Sequence, residues 1–106
     1  MKLLLDECIP RKLKRKLLAH DCRTVPEEGF AGKKNGAPLA LAEKAGFQAF
    51  LTIDRGIEHQ QNLESLRIAI ILVRVRSGQL SEFLPLIPAL LSAIDSIKGG
   101  QLVKVG

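Results

Sequence analysis

The feature that most constrains the fold is a run of six apolar residues, Ile68–Val73, without alternation between apolar and polar side chains. A strand with one face in water alternates, whereas a strand covered on both faces is apolar throughout. Strands of the second kind occur mainly in parallel sheets that have helices packed on both sides. The run therefore predicts a buried strand within an α/β fold.

Apolar and amphipathic segments alternate along the rest of the chain, and its 106 residues suit a single domain, residues 1–106. This alternation predicts a parallel or mostly parallel sheet with helices on both faces. The predicted strands are Lys2–Leu5, Cys22–Val25, Ala49–Ile53, Ile68–Val73 and Gln101–Val105. The predicted helices begin at Pro10, run from an Asn35 cap to about Ala45, and span Ser81–Ile97 with a kink or a late start at Pro88. Between them, we predict a loop at Glu27–Gly32 and a short turn at Gln60–Leu66.

The charge balance favours anionic partners. Sixteen Lys and Arg residues against eleven Asp and Glu residues give a formal net charge of +5. Such a surplus is typical of nucleic-acid-binding proteins, although many basic proteins bind none. No apolar stretch approaches the roughly 20 residues of a membrane span. The two cysteines, Cys8 and Cys22, lack metal-ligand spacing. We therefore expect a cytoplasmic protein without a membrane partner.

Acidic residues follow two of the predicted strands. Asp6 and Glu7 come after the first, and Asp54 comes after the third. The carboxyl ends of parallel strands meet at one edge of the sheet, where ligands bind in such folds. Paired carboxylates there suit Mg²⁺ or Mn²⁺, which prefer oxygen ligands. The alternative is structural, with Asp6 capping a helix and Asp54 stabilising a turn. Whether Glu7 faces the same site is open, because adjacent residues at a strand end face opposite sides.

Basic residues flank these acids. The segment Arg11–Lys16 carries five cations in six residues, which suits either a phosphate backbone or the solvated face of an amphipathic helix. Arg74 and Arg76 alternate with valines at a strand end, so both are expected to add to that basic patch. Asn35 either binds a phosphate or a water at the start of the second helix, or serves as an ordinary turn and cap residue.

The last predicted helix has apolar side chains on two sides. Such a helix is either enclosed within the core or shared with a second subunit. One sheet face cannot cover both stripes in so small a domain, so we favour the second alternative, a homodimer. The stripe assigned to the dimer consists of Leu84, Ile87, Leu91 and Ile94.

Four segments resemble the PIN-like domain superfamily, and more narrowly its small toxin-like group related to VapC-type ribonuclease toxins. They are LLLDECIPRKL at the start of the chain, KKNG…LALAEKAGF, LTIDRGIEHQQNL and IAIILV. The resemblance implies a three-layer α/β/α Rossmann-like sandwich. It also implies a Mg²⁺- or Mn²⁺-dependent ribonuclease, the toxin half of a bacterial toxin–antitoxin pair whose partner is a small antitoxin-like protein.

Matched position by position, the resemblance makes Asp6 and Asp54 the catalytic and metal-binding acids. Glu7, which is included in the expected metal site, and Glu58 are the candidates for a further acid there. The residues implied to line the site are Asn35, Thr52, Gln61 and Asn62. The residues expected along the RNA backbone are Arg11, Lys12, Lys33, Lys34 and Arg55.

Two alternatives remain beside the nuclease. Similar sequences often carry an acid where this chain has Ala37, and its loss is typical of a catalytically degenerate module that binds RNA or a protein without cleavage. Acids after strands one and three also fit a phosphoacceptor receiver domain. The absence of Ser or Thr at Val73-Arg74, after the fourth strand, argues against that alternative.

Overall fold

The computed structural model of the chain describes residues 1–17, 20–29, 37–59 and 67–106. Five strands form one sheet: β1 (Lys2–Leu5), β2 (Asp21–Thr24), β3 (Ala49–Thr52), β4 (Ala69–Val73) and β5 (Leu102–Val105). Their order across the sheet is β2-β1-β3-β4-β5, and every neighbouring pair is parallel. The predicted α/β fold with a mostly parallel sheet is confirmed. The three-layer Rossmann-like arrangement stays a prediction.

Strand β4 has the continuous burial that its sequence predicts, since all five of its residues are buried. Alternate residues of the sheet enter two separate apolar clusters. Leu3 and Ile71 belong to one cluster, and Leu4 and Ile70 belong to the other. Both faces of the sheet are therefore buried under apolar side chains, as an unalternating strand requires.

Three α-helices are described: α1 (Ala37–Lys44), α2 (Leu80–Phe83) and α3 (Ile87–Ser96). Helix α1 contributes Leu39 and Ala42 to the cluster that contains Leu4. Gly46 lies two residues beyond the last residue of the helix, and the φ of 89° there suits a residue without a Cβ. The predicted Ser81–Ile97 helix is broken, because a 3₁₀ turn, Leu84–Leu86, separates α2 from α3. Prolines in that turn and in the first turn of α3 account for the break.

The helix predicted after Pro10 is a 3₁₀ helix, Arg11–Lys16, that buries Leu13. Its first turn has no acidic residue and begins with Arg11 and Lys12.

The apolar stripe assigned to a homodimer lies partly inside the chain's own core. Ile94 is buried, and Ile87 and Leu91 are partly buried against the cluster formed by Leu3 and its neighbours. Leu84 is 42% exposed. The other stripe, Leu86, Leu90, Ala93 and Ile97, packs into the same cluster. Both stripes therefore contribute to the core, and only part of the predicted interface remains accessible. Ile94 is not available to a second subunit.

No helix within the described part of the chain is long and apolar enough to cross a membrane.

Candidate functional site at the carboxyl edge of the sheet

The strand order places a crevice at the ends of β1 and β3. Within the sheet, β2 lies on one flank of β1 and β3 lies on the other, so the strand order changes direction at β1. In open parallel sheets, ligands bind outside the carboxyl ends of the strands at this change of direction. Asp6 directly follows β1, and Asp54 lies two residues beyond the end of β3. Both acids therefore lie at the position where a doubly wound sheet forms its ligand site.

Thr52 joins the two acidic loops. Its hydroxyl donates a hydrogen bond of 2.6 Å to Asp6 Oδ2 and accepts one of 3.0 Å from the backbone N–H of Asp54. The Thr52 side chain is fully buried, whereas Asp6 is half-buried and Asp54 is exposed. A single buried hydroxyl thus fixes the Asp6 carboxylate against the backbone of the loop that carries Asp54. Sequence reasoning included Thr52 only through a family resemblance.

Each carboxylate also accepts a hydrogen bond within its own loop. Asp6 Oδ1 accepts from the N–H of Glu7 at 2.8 Å. Asp54 Oδ1 accepts from the N–H of Gly56 at 2.9 Å, at the start of a 3₁₀ helix, Arg55–His59. The turn-stabilising role considered for Asp54 is therefore present in the structure. A carboxylate offers about four lone-pair sites, so these bonds leave room for a further ligand on either group.

The donor set of the site consists of oxygen atoms, which suit Mg²⁺ or Mn²⁺. Magnesium often binds through one or two carboxylates and keeps several waters or substrate phosphates as its other ligands. Asp6 and Asp54 match that pattern. Within the described ranges, no group of three or more His, Cys, Asp or Glu side chains is arranged to hold a metal ion. Any cation here would accordingly depend on water or substrate for most of its coordination.

Two further acids were considered for this site. Glu7 is exposed at the surface beside Asp6. Glu58 Oε1 forms an ion pair of 2.5 Å with Lys104 Nζ on β5. Since β5 is the edge strand next to β4, this ion pair directs Glu58 away from β1 and Asp6.

Cys8 lies beside the site, next to Thr52, and its thiol has a raised pKa. Its Sγ atom is 3.9 Å from Thr52 Oγ1. The residue is exposed as a whole, yet desolvation of its sulfur raises the pKa of the thiol, and the charge of Asp6 raises it further. The thiol is the less reactive form of cysteine, so Cys8 contributes packing and a weak polar contact.

Several predicted site residues lie outside the described residues: Lys33, Lys34, Asn35, Gln61 and Asn62. Ala37 is the first residue of α1.

The predicted basic patch is divided into two surfaces. Arg11, Lys12, Lys14 and Arg15 line a shallow groove together with Glu27, and Lys14 Nζ forms a 2.8 Å ion pair with Glu27. Arg74 and Arg76 follow β4, which lies beyond β3 as seen from β1 and β2. They line a different groove. The expectation that they would extend the surface formed by residues 11–16 is therefore wrong. The expectation failed because strand alternation does not fix the order of strands in a sheet.

Glu82 is a structural residue that sequence reasoning missed. Its carboxylate accepts hydrogen bonds from the N–H groups of Arg76 and Ser77 at 2.8 and 2.7 Å and from the Ser77 hydroxyl at 2.5 Å. The Ser77 hydroxyl and these backbone donors lower the pKa of Glu82 to about 2. The Ser77-x4-Glu82 spacing carries no recognised motif, so the sequence offered no signal for this contact.

Comparisons of the chain with protein-family models, with curated proteins and with solved structures find no match. The resemblance to the PIN-like superfamily therefore stays a prediction, and the function must be argued from the site itself.

Proposed function

We propose that this protein is a metal-dependent ribonuclease whose site is formed by Asp6 and Asp54. The observation that supports it most directly is the pair of acids at the change of strand direction, joined through the buried Thr52 hydroxyl. Carboxylates held at a ligand-binding crevice in a chain of net charge +5 suit a cation and a polyanionic substrate. Phosphodiester hydrolysis uses both.

In this proposal Asp6 and Asp54 would hold Mg²⁺ or Mn²⁺, which supplies an activated water and stabilises negative charge on the phosphate when bound. Thr52 orients the Asp6 carboxylate by its 2.6 Å hydrogen bond, so the carboxylate need not be reorganised during the reaction. The Asp54 loop is fixed by the bonds from Gly56 N–H to Asp54 Oδ1 and from Ile57 N–H to Asp54 O. Arg55 directly follows Asp54 and begins the 3₁₀ helix that continues from this loop.

The decisive experiment compares purified wild-type protein with the variants Asp6→Asn and Asp54→Asn. A labelled pool of single-stranded and structured RNA is incubated with Mn²⁺, with Mg²⁺, or with EDTA. Asp95→Asn serves as the matched control, because Asp95 is an exposed acid on α3, outside the site. We expect cleavage by the wild type and by Asp95→Asn only with metal, and none by the two site variants. Cleavage that persists in both site variants would exclude this site as its source.

If the wild type binds RNA without any cleavage, and binding is the same with metal and with EDTA, the degenerate binding module replaces the nuclease. In that case Asp6→Asn would leave binding unchanged.

The toxin role and the cytoplasmic location belong to the same proposal, and they rest on the sequence resemblance. A nuclease toxin should arrest bacterial growth when its expression is induced. The arrest should be absent with Asp54→Asn, and an antitoxin-like partner should suppress it. We further propose a homodimer through Leu84, Ile87 and Leu91, supported by the 42% exposure of Leu84.

The strand order β2-β1-β3-β4-β5 is also that of phosphoacceptor receiver domains. Two described features argue against this function. The residue after β4 is Arg74, where a receiver domain would have Ser or Thr. Lys104 on β5, the lysine that would be needed at the acceptor site, forms an ion pair with Glu58 instead. A stable acyl-phosphate on Asp54 would be required to support it.

A further inference from the structure

Three arginines lie together at the carboxyl edge of the sheet, next to the candidate site. Arg55 follows Asp54, while Arg74 and Arg76 follow β4. The strands β3 and β4 are neighbours, with Thr52 opposite Leu72, so the two segments leave the sheet about one strand spacing, roughly 4.8 Å, apart. The three side chains line one surface groove, here called the arginine groove, with Val75, Leu86, Gly106 and Glu82.

The arginine groove has an excess of positive charge. All three arginines are exposed, and no ion pair involves their guanidinium groups within the part of the chain that the structure describes. The acid among the lining residues, Glu82, directs its oxygens to the Arg76 and Ser77 N–H groups and to the Ser77 hydroxyl. Arg74 Nε donates to the carbonyl oxygen of Gly106 at 2.7 Å. This bond orients the Arg74 guanidinium and leaves its terminal N–H groups to other acceptors.

The turn that carries Arg76 is fixed against the carboxylate site. Gly78 has a φ of 76°, and a Cβ at this position would lie 2.9 Å from Ile53 Cδ1 and 3.7 Å from the carbonyl oxygen of Cys8. The turn therefore packs on the segments that follow β3 and β1, the same two segments that carry Asp54 and Asp6. Glu82 holds the turn from its other side. The arginine groove and the acids thus lie at the same edge of the sheet, on segments that pack directly against each other.

We propose that the arginine groove binds a phosphate of the RNA backbone next to the one positioned at Asp6 and Asp54. This inference rests on the proposed function. Guanidinium groups bind phosphate oxygens through paired hydrogen bonds, and Arg is preferred to Lys where such geometry matters. None of the described residues that line the groove is aromatic, and its charged groups are guanidiniums, which pair with phosphate oxygens. We therefore expect the groove to contact the RNA backbone. The substrate runs from the acids toward β4, and the surface formed by residues 11–16 is secondary.

The test measures RNA binding in EDTA, so that no cleavage takes place. A fluorescent single-stranded RNA oligonucleotide is titrated with wild type, Arg55→Gln, Arg76→Gln and the double variant, at several salt concentrations. Arg74 is left intact because its side chain bonds to Gly106. Arg67→Gln is the matched control, since Arg67 is an exposed arginine at the opposite end of β4. A second comparison, Arg11→Gln with Lys12→Gln, tests the other basic surface.

We expect each groove variant to weaken binding several-fold and to lower the slope of log K against log salt concentration by about 0.7 per arginine. Arg67→Gln should bind as the wild type does, and the Arg11 and Lys12 change should have the smaller effect of the two surfaces. Equal losses for Arg67→Gln and the groove variants, or unchanged binding by the double variant, would overturn the inference.

The two proposals fail in different ways. If groove variants lose RNA binding while no wild-type cleavage occurs with metal, the nuclease proposal fails and the phosphate subsite stands. If the wild type cleaves RNA and the double groove variant binds and cleaves equally well, the nuclease stands and the subsite is wrong.

Discussion

The Thr52 hydroxyl should contribute more to stability than a typical buried hydroxyl, and Thr52→Val tests this directly. Valine has nearly the shape of threonine, so the substitution removes the hydroxyl and leaves the volume of the site unchanged. Two hydrogen bonds are lost, the 2.6 Å bond to Asp6 Oδ2 and the 3.0 Å bond from Asp54 N–H. The Asp54 N–H is left without its acceptor, and Asp6 loses its buried donor.

The magnitude follows from these two losses. A hydrogen bond to a charged group contributes about 1.5–3 kcal/mol, and an unsatisfied buried donor costs about 1–3 kcal/mol. Water reaches the half-buried Asp6 and the exposed Asp54. The lost hydrogen bond and the unsatisfied donor should therefore each cost less than the upper limit of its range. We therefore expect Thr52→Val to lower the free energy of unfolding by about 2–4 kcal/mol. Thr52→Ser keeps the hydroxyl and loses one methyl group, which should cost about 0.8 kcal/mol.

Thr24 provides the matched control. It is the other buried threonine, it ends β2, and its hydroxyl accepts a single, longer bond of 3.3 Å from Glu27 N–H. Urea unfolding of Thr52→Val, Thr52→Ser and Thr24→Val gives the three free energies, with about 1 kcal/mol expected for Thr24→Val. A double-mutant cycle with Asp6→Ala, which removes both acceptor oxygens without adding a donor, isolates the coupling between Thr52 and Asp6. Equal costs for the two valine variants, or no coupling in the cycle, would refute the role assigned to Thr52.

Three further predictions concern the helices after β4. The pKa of Glu82 is lowered from 4.5 to about 2, so its stabilisation is complete above about pH 4.5 and is lost as the pH falls toward 2. Glu82→Gln should lower the melting temperature at pH 7. Between pH 4.5 and pH 2, the melting temperature of the variant should fall less than that of the wild type, and an unchanged pH profile would contradict this. Phe83 is fully buried, so Phe83→Ala should cost about 3–5 kcal/mol in urea unfolding, against less than about 0.5 kcal/mol for Leu84→Ala next to it. If Leu84 contributes to a homodimer, Leu84→Glu should give the monomer mass by light scattering, whereas a wild type that is already monomeric would exclude the dimer.

The central strands β1, β3 and β4 could be predicted because burial on both faces leaves a direct record in residue type. The edge strands β2 and β5 are less buried, and their sequences record them less directly. β1 begins and ends at the predicted residues, and β4 begins one residue later than predicted. The element after Pro10 was less predictable. Its apolar spacing indicated an amphipathic helix, but that spacing does not distinguish an α-helix from the 3₁₀ helix that the chain forms.

The candidate site was also only partly predictable from the sequence. Asp6 and Asp54 could be placed at one edge from the ends of two strands, since parallel strands end together. The arginine groove could not be recognised, because it depends on β4 lying beside β3 and away from β2, and alternation of strands and helices is compatible with several strand orders. Long-range hydrogen bonds such as that between Thr52 and Asp6 also depend on strand register, which residue type alone does not determine.

The two carboxylates of the site differ in how much of the fold depends on them, and this decides how their variants are interpreted. Asp6 accepts hydrogen bonds on both oxygens, from Thr52 and from Glu7, so an asparagine there must place its NH₂ group against one of those donors. Asp54 accepts one described side-chain bond, from Gly56 N–H, which the amide oxygen of asparagine can still accept. Asp6→Asn should therefore reduce stability, whereas Asp54→Asn should remove a negative charge with little structural cost. Loss of cleavage in Asp54→Asn is thus the stronger argument for metal binding, because the fold of that variant is expected to remain intact.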